Sequence, residues 1–418
     1  MKVIFHKKNL MKILEPAAGI PLVKNTYLPC GGLLFECPPD KRFGECASDD
    51  PDLCRISAFD LDTGLRGVLP CTVREKGMCI IPMQTILQIV RSLPDGEITL
   101  ETFPSGNAVI SAGKINFRTS VSPGENFPSM PMLTGSKNYN ISQKFLRSVL
   151  SETVFAVAQT DTAHMGFHSA LFRIRDKELT VAGCDNYRLA VSCGEISVNG
   201  EPEEELRLII PGKFLRELLH LLNDTEETIT MTLGRKHIIF ELGELCFFTR
   251  ILEIEYPDYE KMLPVSYTTQ VSLSRAEFTE AIERASIIAE AKLGGIGGTY
   301  VKLDFSDNTV HVSSVASSAA VDEILSADMT GADLTIGFEC RNLLETLKAI
   351  PRECERIRLR MNSPIMGITI ESAQDTSFSD SSVYTIEDFP EKNKTPPSGE
   401  KKRFMYFVLP TRMNISVK

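Results

Sequence analysis

The hydrophobic positions of this chain repeat. An apolar strand end leads into a run whose apolar residues fall three and four apart, and a Pro, Asn or Asp stop follows. The pattern occurs three times: Met78-Cys-Ile-Ile-Pro-Met-Gln-Thr-Ile-Leu-Gln-Ile-Val-Arg-Ser-Leu-Pro94, Leu208-Ile-Ile-Pro-Gly-Lys-Phe-Leu-Arg-Glu-Leu-Leu-His-Leu-Leu-Asn223 and Leu334-Thr-Ile-Gly-Phe-Glu-Cys-Arg-Asn-Leu-Leu-Glu-Thr-Leu-Lys-Ala-Ile-Pro351. That spacing puts the apolar residues on one face of a helix. Aligning Ile81, Ile210 and Phe338 sets the copies roughly 130 residues apart, an ordinary domain each. A period this long lies outside the range of stacked solenoid repeats, so each copy is expected to carry its own core. The reading is three similar domains over residues 1–138, 139–266 and 267–418. The turn-rich stretches Phe127–Lys137 and Tyr256–Pro264 lie at the boundaries.

Around each repeated helix the pattern changes to short apolar runs separated by turn residues. Leu33–Glu36 and Arg55–Asp62, Leu171–Arg175 and Leu179–Ala182, and Val301–Phe305 and Val310–Ser313 each read as a β-hairpin. Every domain also opens with a second amphipathic helix: Lys7–Ile20, Ser142–Ala158 and Ser274–Glu290, with Ser142 and Ser274 at N-cap positions. A helix stripe must be buried, and the sheet of the same domain is the natural place. The fold class is therefore α+β: three tandem similar domains, each with two helices packed on antiparallel sheets.

Composition supports this and adds little: 418 residues, 43% apolar and 24% charged, with no apolar run near the ~18 residues of a membrane span. The first apolar stretch is broken by His6, Lys7 and Lys8, too early for a secretory signal, so the default location is cytoplasmic with no membrane partner. Eleven cysteines scattered through a long chain read as buried thiols. Cys37, Cys46 and Cys54 bracket the polar stretch from Pro38 to Asp52, but no pair has the C-x2-4-C spacing of a zinc site. A solvent loop with incidental cysteines is expected there.

No catalytic constellation emerges. Gly212-Lys213 is followed by Phe214, so the P-loop pattern is absent, as are H-E-x-x-H and nucleophile-elbow motifs. His164 and His168 have helical i, i+4 spacing, yet Thr160, Asp161 and Gly166 beside them favour a turn over a metal site. Gly294-Gly-Ile-Gly-Gly298 follows a helix instead of a strand, the wrong context for cradling phosphate. The expectation is a binding protein with no enzyme activity, no cofactor and no metal.

Net charge is −10, which over a whole surface repels nucleic acid. Yet basic residues, among them Lys7, Lys8, Lys12, Arg91, Lys144, Arg147, Lys213, Arg216, Arg275, Arg284, Arg341, Lys348 and Arg352, fall on or near the polar sides of the six expected helices. This points to one concentrated positive surface on an acidic molecule.

Four further motifs occur in order: Phe59-Asp-Leu-Asp-Thr-Gly-Leu, Gly183-Cys-Asp-Asn-Tyr-Arg-Leu-Ala190, Tyr256-Pro-Asp-Tyr-Glu-Lys-Met-Leu-Pro264 and Phe407-Val-Leu-Pro-Thr-Arg412. Ser111-Ala-Gly-Lys-Ile-Asn-Phe117 and Glu125-Asn-Phe-Pro128 add to them. With the triplication, the chain resembles over essentially its whole length the bacterial DNA polymerase III β-subunit family, the sliding clamps. That resemblance implies a head-to-tail homodimer whose six domains ring double-stranded DNA without reading sequence. The implied partners are the DNA polymerase III α subunit, the clamp-loader ATPase complex and other proteins carrying clamp-binding motifs.

Carried over by position, DNA contact falls to Lys24, Arg91, Lys144, Arg147, His164, Lys213, Arg284, Arg341 and Lys348. A peptide-docking pocket falls to Phe167, Cys184, Asn186, Tyr187, Arg188, Leu189, Pro257, Met262, Phe407, Leu409, Pro410, Thr411 and Arg412, with Arg188 and Arg412 placed to hold peptide carbonyls or carboxylates. The dimer interface falls to Phe117, Ile287 and Ile288. The family commonly has Ala-Thr-Asp-Gly-His-Arg-Leu where this chain has Gly183-Cys-Asp-Asn-Tyr-Arg-Leu189, so the pocket wall is altered. Residues 37–54 are an insertion, and Met413–Lys418 extends beyond the usual terminal arginine. A clamp-like scaffold that binds proteins without being loaded on DNA is the alternative reading.

Overall fold

A computed structural model describes residues 1–20, 31–39, 52–131, 135–159, 165–175, 177–198, 205–264, 266–290, 300–316, 319–373 and 402–411. The elements repeat three times. The first set is β1 (Lys2–His6), α1 (Lys7–Ala17), β2 (Gly32–Cys37), β3 (Leu53–Phe59), β4 (Thr63–Pro70), β5 (Thr72–Glu75), β6 (Gly77–Pro82), α2 (Met83–Ser92), β7 (Glu97–Phe103), β8 (Asn107–Ala112) and β9 (Ile115–Ser120), followed by the short β10 (Ser122–Pro123). The second is β11 (Gly135–Ser142), α3 (Gln143–Thr153), β12 (Ser169–Arg175), β13 (Glu178–Cys184), β14 (Arg188–Glu195), β15 (Ser197–Val198), β16 (Leu206–Pro211), α4 (Gly212–Leu221), β17 (Thr228–Gly234), β18 (His237–Leu242) and β19 (Leu245–Arg250). The third is β20 (Thr269–Ser274), α5 (Arg275–Glu290), β21 (Tyr300–Ser306), β22 (Thr309–Val315), β23 (Ala320–Ser326), β24 (Asp328–Gly331), β25 (Leu334–Glu339), α6 (Cys340–Ala349), β26 (Arg356–Met361), β27 (Ile368–Ser372) and β28 (Lys402–Val408).

Each set is strand, helix, five strands, helix, three strands. The three expected hairpins are β2–β3, β12–β13 and β21–β22, all antiparallel. The expected opening helices form; the first two end earlier than their apolar patterns, while α5 runs to Glu290 as read. In α1 the amides of Gly19 and Ile20 fall back to the carbonyls of Pro16 and Ala17, each at 3.1 Å, which tightens the chain out of the α-helix after Ala17. After α3 the chain passes into a 3-10 turn, Val154–Ala156. Ser142 caps α3, its Oγ accepting from the Phe145 amide at 3.1 Å, and Ser274 accepts from Glu277 at 3.4 Å.

The described residues form two compact units. Unit 1 holds a five-stranded sheet, β5-β1-β7-β8-β9, and a ten-stranded sheet, β10-β6-β2-β3-β4-β19-β18-β17-β11-β15. Its core includes Leu10, Ile13 and Leu14 of α1, Ile86, Leu87 and Val90 of α2, and Phe5 packed edge-on against Phe35 at 6.2 Å. Unit 2 holds a nine-stranded sheet, β16-β12-β13-β14-β28-β27-β26-β20-β24, and a four-stranded sheet, β23-β22-β21-β25. Val301, Leu303 and Phe305 alternate inward from β21 to meet Phe278, Ile282 and Ala285 of α5 and Leu343 and Leu347 of α6.

The two long sheets explain why three sequence repeats give two compact units. In unit 1, β4 of the first repeat pairs with β19 of the second, and in unit 2, β14 of the second pairs with β28 of the third. The middle repeat therefore contributes strands to both sheets.

Ser142→Ala is expected to destabilise the folded chain by about 1 kcal/mol, the usual value of a helix N-cap, read as a lower midpoint in urea. An unchanged midpoint would show that Ser142 Oγ contributes nothing to the start of α3.

Candidate functional site

The pairing of β14 with β28 sets Leu189 opposite Phe407 and Arg188 opposite Val408, so two segments far apart in sequence become adjacent. Beyond the strand ends the Leu409 amide donates to the Tyr187 carbonyl at 2.9 Å, and the Thr411 amide to Gly337 at 2.8 Å. Asp185 shapes the turn into β14, its Oδ1 accepting from the amides of Tyr187 and Arg188, both at 2.7 Å. Tyr187 is thereby held outward, 57% exposed, next to the exposed Leu409.

Below this rim lies an apolar cluster of Leu171, Ala182, Cys184, Leu189, Val191, Cys193, Tyr259, Leu263, Met405 and Phe407, with Phe167 and Tyr256 packed on it. Tyr256 closes one side, its hydroxyl donating to the Ala182 carbonyl at 2.9 Å and lying 3.5 Å from Cys184 Sγ. Burial holds the Tyr256 hydroxyl well above its usual range and pushes the Cys184 thiol up to about 11, so neither ionises near neutrality. Pro257 is half-buried beside Tyr256, and Met262 stands exposed on the 3-10 turn Tyr259–Met262. The segment from Leu252 to Glu260 also lines a cavity of about 630 Å³ with Leu171, Arg173, Arg207 and Ile209.

The structure thus gathers the pocket residues named from the sequence onto one region of unit 2, with Asn186 exposed and Pro410 and Thr411 half-buried. Arg412 lies outside the described residues, as do Met413–Lys418. Arg188 takes a different role from the one expected of it. Its guanidinium donates to Asp185 Oδ2 at 3.1 Å, to Glu345 Oε2 at 2.6 Å and to the Phe155 carbonyl at 3.5 Å, and lies 5.5 Å from the centre of the Phe155 ring. With its side chain only 9% exposed it ties the pocket turn to α6, instead of standing ready for a ligand. Sequence reasoning missed Glu345, 157 positions away from its partner. It also missed the turn Ser363–Gly367, which exposes Ile365 (86%) and Met366. A Cβ at Gly367 would lie 2.5 Å from the Phe407 ring, so this turn packs closely on the pocket floor. A Pro and a Gly flanking two apolar residues were the signal for it.

The residues read as DNA contacts are mostly ion-paired. In unit 1, Arg91 faces Glu15 at 3.7 Å and Lys144 faces Glu226 at 3.0 Å. In unit 2, Arg284 pairs with Glu323 at 2.6 Å and Glu280 at 3.7 Å, Arg341 with Glu345 at 2.8 Å, and Lys348 with Glu283 at 2.8 Å. Arg147 and Lys213 are exposed on α3 and α4. Acidic residues thus sit among the basic ones on these helices. Lys24, His164 and the Gly294–Gly298 segment lie outside the described residues, and His168 closes the 3-10 turn Met165–His168. Of the interface candidates, Phe117 is half-buried on β9, Ile287 is 67% exposed on α5 and Ile288 is half-buried.

Three family models match the chain in order: the DNA polymerase III beta subunit N-terminal domain over residues 48–131, its central domain over 140–258 and its C-terminal domain over 260–385. The beta sliding clamp of Staphylococcus aureus is 29% identical over 283 residues, 67% of this chain and 73% of that protein. Among solved structures, the DNA polymerase sliding clamp of Bacillus subtilis matches with a TM-score of 0.82 at 21% identity, covering 99% of both chains. A putative DNA polymerase III beta subunit from Eubacterium rectale matches with a TM-score of 0.81 at 22% identity, covering 99% of this chain and 100% of the other.

The Arg188 pairs generate a stability prediction. Burial acts to raise the Glu345 carboxyl, but hydrogen bonds from Arg341 and Arg188 outweigh it, and the net shift is downward. Such a group contributes fully above its ordinary value of 4.5 and loses its contribution as pH falls through the depressed folded value. Arg188→Ala is expected to cost about 1–2 kcal/mol at neutral pH, less than a fully buried pair because Glu345 is partly solvated. Its unfolding midpoint should also fall less steeply than that of the native chain as pH drops from about 5 to 3. Parallel acid slopes would remove Glu345 from this account.

Proposed function

The chain belongs to the family of the DNA polymerase III β subunit, and from that membership we propose that it is a sliding clamp: two copies joined head to tail enclose duplex DNA and tether proteins to it. The observation that carries the assembly is a pair of sheet edges. Within the chain, the third strand of a repeat's hairpin group joins the last strand of the next repeat, β4 with β19 and β14 with β28. By the same rule, among the described residues β23 of the third repeat and β9 of the first each stand at a sheet edge without the mate the rule calls for. A second copy supplies both.

The side chains on these edges fit such a role. Ile115 on β9 and Ile324 on β23 are exposed, the latter at 67%, as is Ile287 on α5. Long strand edges carrying exposed apolar residues invite pairing, and a closed two-fold ring satisfies both at once. Phe117, Ile287 and Ile288 are proposed to lie in this interface, and the repeats are proposed to divide near residues 138 and 267.

DNA contact is proposed for Arg91, Lys144, Arg147, Lys213, Arg284, Arg341 and Lys348, and for Lys24 and His164. Exposed ion pairs are worth about 0–1 kcal/mol, so a phosphate displaces the carboxylate partner at little cost. Contacts of this kind carry no base specificity and weaken with salt. The apolar cluster under Tyr187 and Leu409 is proposed to take the apolar side chains of linear peptides from the polymerase α subunit, the clamp loader and other clamp-binding proteins.

The test is mass in solution at micromolar concentration, then retention on nicked circular against linearised plasmid after loading by the host's clamp-loader ATPase. The expected result is a dimer of 46.4 kDa chains, retained on circles and lost from linear ends, while Ile288→Asp sediments as a monomer. A dimer never retained on circles despite an active loader would move the reading to a protein-binding scaffold. An unchanged dimer in Ile288→Asp would remove that residue from the interface.

A further inference from the structure

Of the three cysteines read as incidental to a solvent loop, Cys46 lies outside the described residues with 40–51, whereas Cys37 and Cys54 converge. Cys37 ends β2 and Cys54 lies in β3, both fully buried, with their sulfurs 2.7 Å apart. The register explains the approach: Leu34, Phe35 and Glu36 pair with Ser57, Ile56 and Arg55, and one step further sets Cys37 opposite Cys54. Directly opposed antiparallel residues have Cα atoms about 4.5 or 5.5 Å apart, and both spacings suit a disulfide. Two more thiols stand near. Cys79 lies on β6 opposite Phe35, the residue before Glu36. Cys71 follows the end of β4, half-exposed, and acts on the Cys37 thiol, lowering it against the larger rise from burial.

Exposure differs across the group: Cys71 is partly exposed, while Cys37 and Cys54 are buried side by side. Burial pushes the thiols of Cys37 and Cys54 above the usual range, so both rest as neutral thiols and neither is the group an oxidant meets first. A metal fits less well. Two thiolates on one tetrahedral zinc stand about 3.8 Å apart given Zn–S bonds near 2.3 Å, well beyond the observed 2.7 Å. Among the described residues no group of three Cys, His, Asp or Glu side chains is arranged to hold a metal ion.

We propose that Cys37 and Cys54 are a reversible dithiol–disulfide pair, oxidised by hydroperoxides through Cys71. In the first step the peroxide O–O bond breaks as the Cys71 sulfur takes one oxygen, giving a sulfenic acid and releasing an alcohol or water. The Cys37 sulfur then displaces that hydroxyl, which leaves as water with the Cys37 proton, and a Cys37–Cys71 disulfide forms. Cys54 attacks the Cys37 sulfur, its proton passing to the departing Cys71 sulfur. Two thiols have lost two electrons to one peroxide, and Cys71 is regenerated. The product joins β2 to β3 covalently and closes the chain of residues 38–53 between them. This inference rests on the geometry of unit 1 and is independent of the function proposed above.

The experiment exposes the full-length protein to limiting hydrogen peroxide, blocks remaining thiols with iodoacetamide and maps disulfides by mass spectrometry without reduction. A Cys37–Cys54 linked peptide, lost again on treatment with dithiothreitol, is the expected result. Cys71→Ser, a change at a half-exposed position, should slow the linkage by about tenfold or more. All thiols remaining alkylatable, a link from Cys71 to Cys79 or Cys46, or Cys71 accumulating as an irreversible sulfinate would each overturn the pair. One zinc per chain in the purified protein would do the same. The native rate in Cys71→Ser would overturn the relay.

Discussion

Strand pairing between repeats is the constraint on which the rest of this structure depends. A β-edge is a row of backbone donors and acceptors, and it needs a partner, a cover or water. Here β4 and β14 each find the last strand of a following repeat, and the seams grow into sheets of ten and nine strands. Triplicating a domain with this habit has an arithmetic consequence. A linear chain of three repeats makes two such seams and leaves one edge of each kind at its ends, so association with a like chain is the direct way to complete the pattern. The ten- and nine-stranded sheets and the argument for a closed dimer follow from that rule.

The pocket is a product of one of these seams. Leu189 and Phe407 belong to different repeats and face each other only because β14 pairs with β28. The floor they make is apolar because both strands are buried in unit 2, and the rim is exposed because Tyr187 and Leu409 fall just past the strand ends. Arg188 sits where these demands meet. Its three hydrogen-bonded neighbours, Asp185, Glu345 and Phe155, fix the turn that presents Tyr187. A rigid rim of this kind would lower the ordering cost of the peptide binding proposed above.

Much of the fold was legible because it rests on local periodicity. The three repeated helices and the three hairpins were visible as spacings of three, four and two, and Ser142 and Ser274 marked helix starts by their chemistry. Pairing between repeats was not legible, because no local pattern records that Leu245 will face Gly67 or that Leu189 will face Phe407. For the same reason the motif residues of the pocket could be listed while the role of Arg188 could not, since its partner Glu345 lies on α6. The cysteines failed differently. Cys37 and Cys54 flank a polar insertion, and polarity argued for a loop, yet the strands continue to their sulfurs and close them off from water.

The electrostatics bear on why a ring suits this molecule. Five of the basic helix residues named as DNA contacts stand within ion-pair distance of a carboxylate, and the chain carries a net charge of −10. Each pair cancels at distances beyond about 8–10 Å at physiological salt, so these helices project little long-range attraction. A phosphate arriving at contact distance can still exchange with an exposed carboxylate, because that pair contributes so little. For the DNA contacts proposed above, the balance would make them weak, local and easily remade from one phosphate to the next. An open molecule with such contacts would dissociate quickly. The proposed enclosure would remove that difficulty: residence would then be set by the strength of the protein–protein seams, while weak phosphate contacts would leave motion along the duplex nearly unopposed.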